Sequence, residues 1–336
     1  MPRSKSALIV FAPVAFGLSS APLYAEETDA AIAREDAQSQ QSRPQQGPPT
    51  GGPDIRGPAP EGVPDGGRPA GPPPGIPFEK PVFDDTWVTV GIGIGLVPSY
   101  TGSDDYTAFP LPLIVGRVGG VGLRPNGPGI ALDLLSKAPA GPPSSKPSFN
   151  FGPAFRIRND RVNQIEDAVV ERLDDLDLAI EIGLDGGVTF PGVFTRGDRL
   201  SLGAQARFDV AGAHDGFVVE PSIGYARPFG TGTLVNFSLG AQIVDDNFAE
   251  YYFNLSPADA LVTGLPVFGA DGSLNSLSAT AIITNDLDGN ALNGGFSIYT
   301  IAGYTRLVGD AANTPFTDIR GNANQFIAGV GVAYTF

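Results

Sequence analysis

The feature that most constrains this fold is a two-residue alternation of apolar with small or polar side chains, repeated from about residue 85 to the C-terminus. In the segment 200–210, one set of alternate residues reads Leu, Leu, Ala, Ala, Phe, Val, and the other reads Ser, Gly, Gln, Arg, Asp. The segments 88–96, 177–185 and 235–243 repeat the pattern. Because successive strand side chains point to opposite faces, each segment predicts a β-strand with one apolar and one polar face.

Two architectures share this pattern: a soluble sandwich, which buries the apolar faces between sheets, and a membrane barrel, which turns them toward lipid. The segments run for about 10 to 13 residues, the length of a tilted membrane strand and longer than most soluble strands. Their polar faces carry Gly and Ser more often than long charged side chains. The sequence therefore predicts an all-β fold over 85–336, an antiparallel transmembrane β-barrel, closed because lipid offers no partner to an unpaired strand edge.

The first 25 residues have the pattern of a secretory signal peptide. Arg3 and Lys5 precede a short apolar stretch over 7–18, and Ala25 ends a plausible cleavage site. The apolar stretch is shorter than the roughly 20 residues that a membrane-spanning helix needs. The chain contains no Cys, which excludes disulfides, thiolate metal sites, Cys nucleophiles and a lipoprotein anchor.

Residues 26–84 are rich in Pro and Gly and contain few groups that a core can bury, as in the run Gly71–Gly75. This composition predicts a disordered, partly polyproline-II periplasmic linker. Two roles stay open for it, a plain spacer or a tether for a periplasmic partner or the cell wall.

Twelve candidate strands follow, and ten is the alternative count because prolines at 110, 112, 153 and 221 each remove a ladder hydrogen bond. An even count places both ends of the barrel on the periplasmic side and the longer loops outside. The outward loops are predicted near 99–106, 126–127, 158–176, 212–215, 246–272 and 309–323. The strands are predicted near 86–98, 107–117, 119–125, 128–135, 148–157, 177–189, 199–211, 216–228, 233–245, 273–284, 294–308 and 324–336.

The final strand ends on an aromatic residue. Phe326, Tyr334 and Phe336 share one face of the segment 325–336. A terminal aromatic on such a strand resembles the signal that the outer-membrane barrel assembly machinery reads, and Tyr334 and Phe336 are the residues predicted to form it. The alternative is an ordinary terminal strand of a soluble sheet.

Several charged residues fall on the inward faces of the predicted strands. They have two interpretations: groups that tune the passage of ions, or a satisfied network that plugs a narrow barrel. The set predicted to face the lumen is Glu181, Asp185, Arg207, Asp209 and Glu220, with Asp177 and Arg227 beside them.

The sequence gives little support to catalysis or to a cofactor. His214 is the only His and lies in the predicted turn 212–216, where a surface-loop histidine is the simpler interpretation than a catalytic group with Asp215 and Ser222. The segment 285–290 predicts a hairpin turn, because a calcium loop needs Glu at its twelfth position and Phe296 stands there. The net charge of −15 argues against a nucleic-acid partner.

Three motifs, in order and at matching spacing, resemble the MipA/OmpV family. Asn254 and the pair 313–314 depart from the family pattern, and the segment 38–81 is an addition to it. The first motif is Tyr100-Thr101-Gly102-Ser103-Asp104-Asp105-Tyr106, followed by Pro110-Leu111-Pro112. The second is Tyr251-Tyr252-Phe253-Asn254-Leu255-Ser256-Pro257-Ala258-Asp259-Ala260. The third is Leu307-Val308-Gly309-Asp310-Ala311-Ala312-Asn313-Thr314-Pro315, followed by Gly321-Asn322-Ala323-Asn324-Gln325-Phe326.

The resemblance implies a non-enzymatic outer-membrane protein of a Gram-negative bacterium, without catalytic, cofactor or metal residues. The name-giving member of the family is similar to a scaffold that joins a membrane-bound murein lytic transglycosylase to a bifunctional penicillin-binding protein. The partners that it implies are therefore these two enzymes, outer-membrane lipid and the barrel assembly machinery. A small porin or uptake channel, and a surface adhesin acting through the loops 158–176 and 246–272, are the alternatives.

Overall fold

The computed structural model describes residues 82–84, 86–135, 146–162 and 164–336. The predicted signal peptide and nearly all of the predicted linker lie outside these residues. The described strands form a single antiparallel sheet in which sequence neighbours pair, except that β2 and β3 both pair with β1. The last strand pairs with the first, so the sheet closes into a barrel. The strands are β1 (Trp87–Pro98), β2 (Tyr106–Pro110), β3 (Leu113–Val118), β4 (Val121–Pro125), β5 (Gly129–Asp133), β6 (Ser148–Arg158), β7 (Ala179–Pro191), β8 (Arg199–Asp209), β9 (Phe217–Phe229), β10 (Thr233–Val244), β11 (Leu274–Asp286), β12 (Gly295–Leu307) and β13 (Asn324–Thr335).

Strands β2 and β3 occupy one position in the barrel wall. Both pair with β1 in the same register, β2 through Ile94↔Pro110 and β3 through Gly91↔Leu113. The prolines on either side of Leu111 interrupt this strand, although the Leu111 N–H still donates to the Gly93 carbonyl at 2.9 Å. The wall of the described barrel therefore has twelve positions, which confirms the predicted number, and the predicted strand 107–117 is the interrupted one.

The outer surface of the barrel is apolar and bounded by aromatic residues. On β1 the outward side chains Val90, Ile92, Ile94 and Leu96 are 46–70% exposed. Phe296 and Tyr334 contact each other at one margin with ring centroids 4.7 Å apart, and Tyr304 and Phe326 do so at the other at 5.2 Å. From Phe326 to Tyr334 the strand rises about 27 Å, or about 20 Å along a barrel axis at a tilt near 40°. This belt has the dimensions of a membrane-facing band.

The two ends of the barrel differ. The termini end carries the start of β1 and the end of β13, where Phe336 is 67% exposed and its N–H donates to the Val88 carbonyl at 2.9 Å. The opposite end, the loop end, carries the described α-helices, which are α1 (Asp246–Phe253), α2 (Pro257–Thr263), α3 (Gly309–Asn313) and α4 (Pro315–Asp318). None of the helices in the described chain is long and apolar enough to cross a membrane.

Glycines make room for one tyrosine inside the seam where the barrel closes. Tyr299 on β12 is 6% exposed, and its hydroxyl donates to the Leu111 carbonyl at 2.6 Å. A Cβ added at Gly331 would overlap the Tyr299 ring, and one added at Gly93 would lie 2.8 Å from its hydroxyl. The Tyr299 side chain thus extends from β12 past β13 and β1 and bonds to the interrupted strand.

Replacing Gly331 by valine tests this packing. We expect Gly331→Val to destabilise the barrel by about 1–3 kcal/mol, because a buried overpacked side chain must displace its neighbour. The measurement is the temperature at which the folded band disappears on an unboiled electrophoresis gel. Ala328→Val, which faces outward on the same strand, is the control. The double variant Gly331→Val/Tyr299→Ala should recover part of the loss, and no recovery would contradict the account.

Candidate functional site: a loop cap above a charged barrel interior

The connections at the loop end pack together into one structure, the loop cap, formed by 99–105, 159–162, 164–178, 210–216, 245–273 and 308–323. Capping hydrogen bonds from nearby side chains define where the cap helices α1 and α2 begin. The Asp245 carboxylate accepts the Phe248 N–H at 3.1 Å at the start of α1. At the start of α2, Ser256 and Asp259 form a reciprocal capping box ahead of Pro257. These connections match the predicted outward loops, apart from the short β4–β5 turn.

Two apolar clusters give the cap its own core. The first seats the aromatic face of α1 on the barrel mouth, where Phe248 and Tyr252 pack with Val218 of β9 and Leu307 of β12. The second cluster joins side chains from separate connections, namely Tyr100, Val170, Leu255, Leu265 and Phe316. Burial of this apolar surface holds the long loops in a fixed arrangement.

The first and third family motifs dock on each other. The Gly102 N–H donates to Gln325 Oε1 at 3.2 Å, and the Gly102 carbonyl accepts the Asn322 N–H at 2.8 Å. Gly102 has φ 101°, and a Cβ there would overlap the Thr317 side chain, so glycine is required twice over. Ser103 forms a bridge with Gly321.

The remaining residues of the first motif fix its turn. The Tyr100 hydroxyl donates to the Phe316 carbonyl at 3.4 Å, and the Tyr106 hydroxyl accepts the Phe326 N–H at 3.1 Å. The Asp105 carbonyl accepts the Ser99 N–H at 2.9 Å, which closes the turn. The predicted motif residues of this segment therefore act through cap packing and backbone contacts.

The second motif joins the same assembly. The Tyr252 carbonyl accepts from Arg161 Nη2 at 2.6 Å, and the Phe253 carbonyl accepts the Thr314 hydroxyl at 2.8 Å. Asn254, which departs from the family pattern, has φ −65° and needs no glycine, and its Oδ1 accepts the Ala270 N–H at 2.6 Å. In the third motif, Asp310 accepts the Asp271 N–H at 2.8 Å.

Backbone geometry accounts for the other two residues of the third motif. Gly309 has φ 56°, a left-handed conformation that favours glycine. Pro315 is the first residue of α4, where its missing N–H has no helical partner to lose. The three motifs are thus brought together in the cap.

A buried carboxylate connects the 164–178 connection to the last loop. Asp167 is 4% exposed, and it accepts the N–H groups of Val169 and Val170 at 2.8 and 2.9 Å and Arg320 Nη2 at 2.5 Å. Burial raises the pKa of this carboxyl, but the Arg320 guanidinium and the two N–H donors outweigh it, so the pKa lies below its ordinary value.

Below the cap, buried ion pairs fill one side of the barrel interior. Arg207 Nε donates to Glu181 at 3.0 Å, and Arg207 Nη2 donates to Glu220 at 2.8 Å. Arg158 reaches the other oxygen of Glu181 at 2.7 Å, and Arg156 reaches Glu220 at 2.8 Å. The Arg207 and Glu181 side chains are 0% exposed. Their charges face each other and not a water-filled path.

Amide side chains extend this network toward both ends. Asp185 pairs with Arg124 and accepts from Asn150 at 2.9 Å and from Gln205 at 3.0 Å. Asp209 instead binds the 210–216 connection, accepting the Ala213 N–H at 2.6 Å and that of His214 at 2.9 Å. All five residues predicted as lumen charges are thus inward and buried, four in the ion-pair network and Asp209 in a loop.

Two other expectations about charged residues are wrong. Asp177 precedes the start of β7 and is exposed. Arg227 is an odd number of residues from the inward Glu220, so it lies on the outer face, with its guanidinium 4.9 Å from the Phe229 ring centroid. Sequence analysis also missed Arg124, Arg156 and Arg158, although Arg156 and Arg158 alternate with apolar residues in β6.

The expectation of a surface-loop His214 is wrong as well. The side chain is buried between Phe248 and Tyr252, with ring centroids 5.0 and 5.7 Å away. Its Nδ1 accepts the Gly216 N–H at 3.0 Å, and its Nε2 lies 3.5 Å from Glu181 Oε1. The carboxylate that faces His214 is therefore Glu181 rather than Asp215. In the described chain, no group of three or more His, Cys, Asp or Glu side chains is arranged to hold a metal ion.

Removing one partner tests the buried network. Arg207→Met removes the cation that Glu181 and Glu220 share and leaves the Oε2 atom of each carboxylate without that donor, so we expect a loss of about 1–3 kcal/mol in the free energy of unfolding. Unfolding by guanidinium in detergent micelles measures it. Arg227→Met, on the outer face, is the matched control and should change stability by less than about 0.5 kcal/mol. Equal stability of the two variants would contradict a structural role for the network.

The Asp167 contact predicts a pH-dependent cap. Because its folded pKa is depressed, the stabilisation is present at neutral pH and is lost as pH falls through the folded value, below about 4. Asp167→Asn should speed hydrogen exchange of the 169–172 amides at pH 7, roughly fivefold for a loss of about 1 kcal/mol. The difference from the unaltered protein should shrink as the pH is lowered below about 4. Glu171→Gln is the control, and a difference that does not change as the pH is lowered would refute the assignment.

Comparison with known families matches residues 90–336 to the family model described as MltA-interacting protein MipA. A search of curated proteins found no match. The matched region covers all but the first residues of the barrel and includes the three motifs of the loop cap. This chain belongs to the MipA family.

Proposed function

We propose that this protein is an outer-membrane scaffold that binds a murein lytic transglycosylase and holds it near a penicillin-binding protein. The observation that carries the proposal is the family match over residues 90–336, because the family description names an interaction with MltA. The closed antiparallel barrel with its apolar belt fits an outer-membrane location.

The barrel interior supports a surface function over conduction. Ion passage requires charges that hydrated ions reach, but Arg207 and Glu181 are fully buried and paired with each other. The charged part of the interior serves as structure in this arrangement. The contacts with a partner then fall to the two ends of the barrel.

The termini end is the end that we assign to the periplasm, because an even number of wall positions leaves both chain ends there. The chain enters β1 at this end, where the Val82 N–H donates to the Leu292 carbonyl at 2.9 Å and Phe83 contacts Trp87 at 4.7 Å. Murein and its enzymes lie on the same side, so the turns of the termini end are the surface that fits a murein enzyme.

Among these turns, 192–198 presents an apolar tip on a rigid base. The Asp198 carboxylate is fully buried and accepts the N–H groups of Val193 at 2.8 Å and Thr195 at 2.7 Å. Burial raises the pKa of Asp198, but these N–H donors and the Tyr225 hydroxyl hold it below its ordinary value. The ionised Asp198 carboxylate fixes the turn in a conformation in which Phe194 is 72% exposed. A fixed, exposed aromatic is a common anchor in protein interfaces.

Crosslinked pull-down from cell envelopes tests the proposal. We expect recovery of a lytic transglycosylase with the unaltered protein and a loss of about tenfold or more with Phe194→Ser, as for an aromatic anchor. Leu261→Ser is the matched control, because Leu261 is 89% exposed on the cap at the opposite end.

A version lacking residues 38–81 separates the turn from the linker. Reduced recovery with this deletion and normal recovery with Phe194→Ser would move the contact to the linker. If no murein enzyme is recovered from correctly assembled barrels, the scaffold proposal fails.

A further inference from the structure

The barrel wall is lower at the β4–β5 hairpin than beside it. The β3–β4 register, with Gly116 opposite Leu123, places Pro125 at the end of β4 opposite Ile114. Residues 106–113 of the interrupted strand therefore extend beyond the hairpin toward the loop end. Among the described strands, β1 is the partner of β2, and none pairs with its other edge. We call the space between β2 and the hairpin turn 126–128 the lateral notch.

The residues around the notch suit an edge without a partner strand. The Leu111 N–H bonds to β1, so by the alternation of antiparallel pairs the groups that face the notch belong to Tyr106, Ala108 and Pro110. Pro110 has no N–H to satisfy, and the hairpin end opposite carries Pro125 and Pro128. Prolines at an edge lower the cost of leaving it open in lipid and disfavour the addition of a strand.

Behind the notch, the inner wall is apolar. Phe109 and Leu111 lie over Gly95, where an added Cβ would be 2.9 Å from each. Phe109 is buried, whereas Leu111 keeps partial access. The Tyr299 ring continues this wall across the seam. The interior is therefore divided between a mostly apolar wall on β1–β3, which carries the buried Arg117 at the termini end, and a charged wall on β6–β9.

Two arginine nitrogens mark the polar side of the notch. Arg124 lies on β4, and Arg156 donates from Nη2 to Asn126 Oδ1 in the hairpin turn at 2.8 Å. The Nε atoms of both are buried and donate to no acceptor among the described residues. Arg124 is paired with Asp185 and Arg156 with Glu220, so the Nε of each is one N–H donor that remains for a further acceptor.

We propose that the lateral notch admits the acyl chain of an anionic membrane amphiphile from the bilayer onto the apolar inner wall. The notch opens in the apolar belt, where lipid chains are the adjacent medium. The anionic head group lies toward Arg124, whose side chain is 15% exposed, and the chain lies against Leu111. This site is independent of the proposed scaffold function, which rests on the termini end.

Lipid quenching tests the proposal in proteoliposomes of the full chain. Because the sequence contains no Cys, Leu111→Cys accepts a single bimane label. We expect loss of bimane fluorescence when the vesicles contain phosphatidylglycerol with brominated acyl chains. Ser238→Cys, inward on β10 and away from the notch, is the matched control and should stay unquenched. Equal quenching by the brominated lipid at both positions, or quenching at neither, would overturn the proposal.

Two further experiments test whether the head group is anionic and whether the molecule in the notch is a lipid. Brominated phosphatidylcholine should quench less than brominated phosphatidylglycerol, and Arg124→Gln should remove that difference. Equal quenching by the two lipids in the unaltered protein would overturn the anionic assignment. A photocrosslinker in place of Ala108 should capture lipid in cells. An adduct with a partner protein, or with another part of this chain, would overturn the lipid assignment.

Discussion

The ladder of backbone hydrogen bonds between β13 and β1 is the contact on which the rest of the structure depends. It joins the two ends of the barrel sequence, from Thr89↔Thr335 to Leu96↔Ala328. Without it, both strands would present unpaired polar edges to lipid. The inward glycines of β1 allow this approach to be close, and the Tyr299 ring fills the space that they leave. The apolar belt, the charged interior and the loop cap all require a closed ring of strands.

The buried charges show how a narrow barrel uses residues that are costly in an apolar medium. Arg207 serves Glu181 and Glu220 together, and Arg158 and Arg156 complete the coordination of those carboxylates. Each charge has a partner, so the desolvation cost is offset while the side chains keep defined positions. The same network divides the interior, because the wall formed by β1–β3 is mostly apolar and carries one buried charge, Arg117.

Strand periodicity predicted most of the fold because a membrane barrel imposes the same two-residue rule on every strand. The twelve wall positions were found this way, and the prolines flanking Leu111 marked the place where one strand divides. The same rule places Arg227 outward, because it is an odd number of residues from the inward Glu220 on β9. Strict use of the rule would have avoided that error. His214 could not be placed, because its burial depends on α1, which is distant in sequence. Convergence of the three motifs likewise required the three-dimensional structure.

The docking of Gly102 on Gln325 and Asn322 has a consequence for the order of assembly. These contacts join the first loop of the barrel to the start of its last strand, more than two hundred residues later. The first loop therefore cannot adopt its final conformation until β13 is in place. Until then, Tyr100 and Phe316 lack each other as partners and leave apolar surface exposed. An ordered cap therefore requires that the ring of strands beneath it has closed.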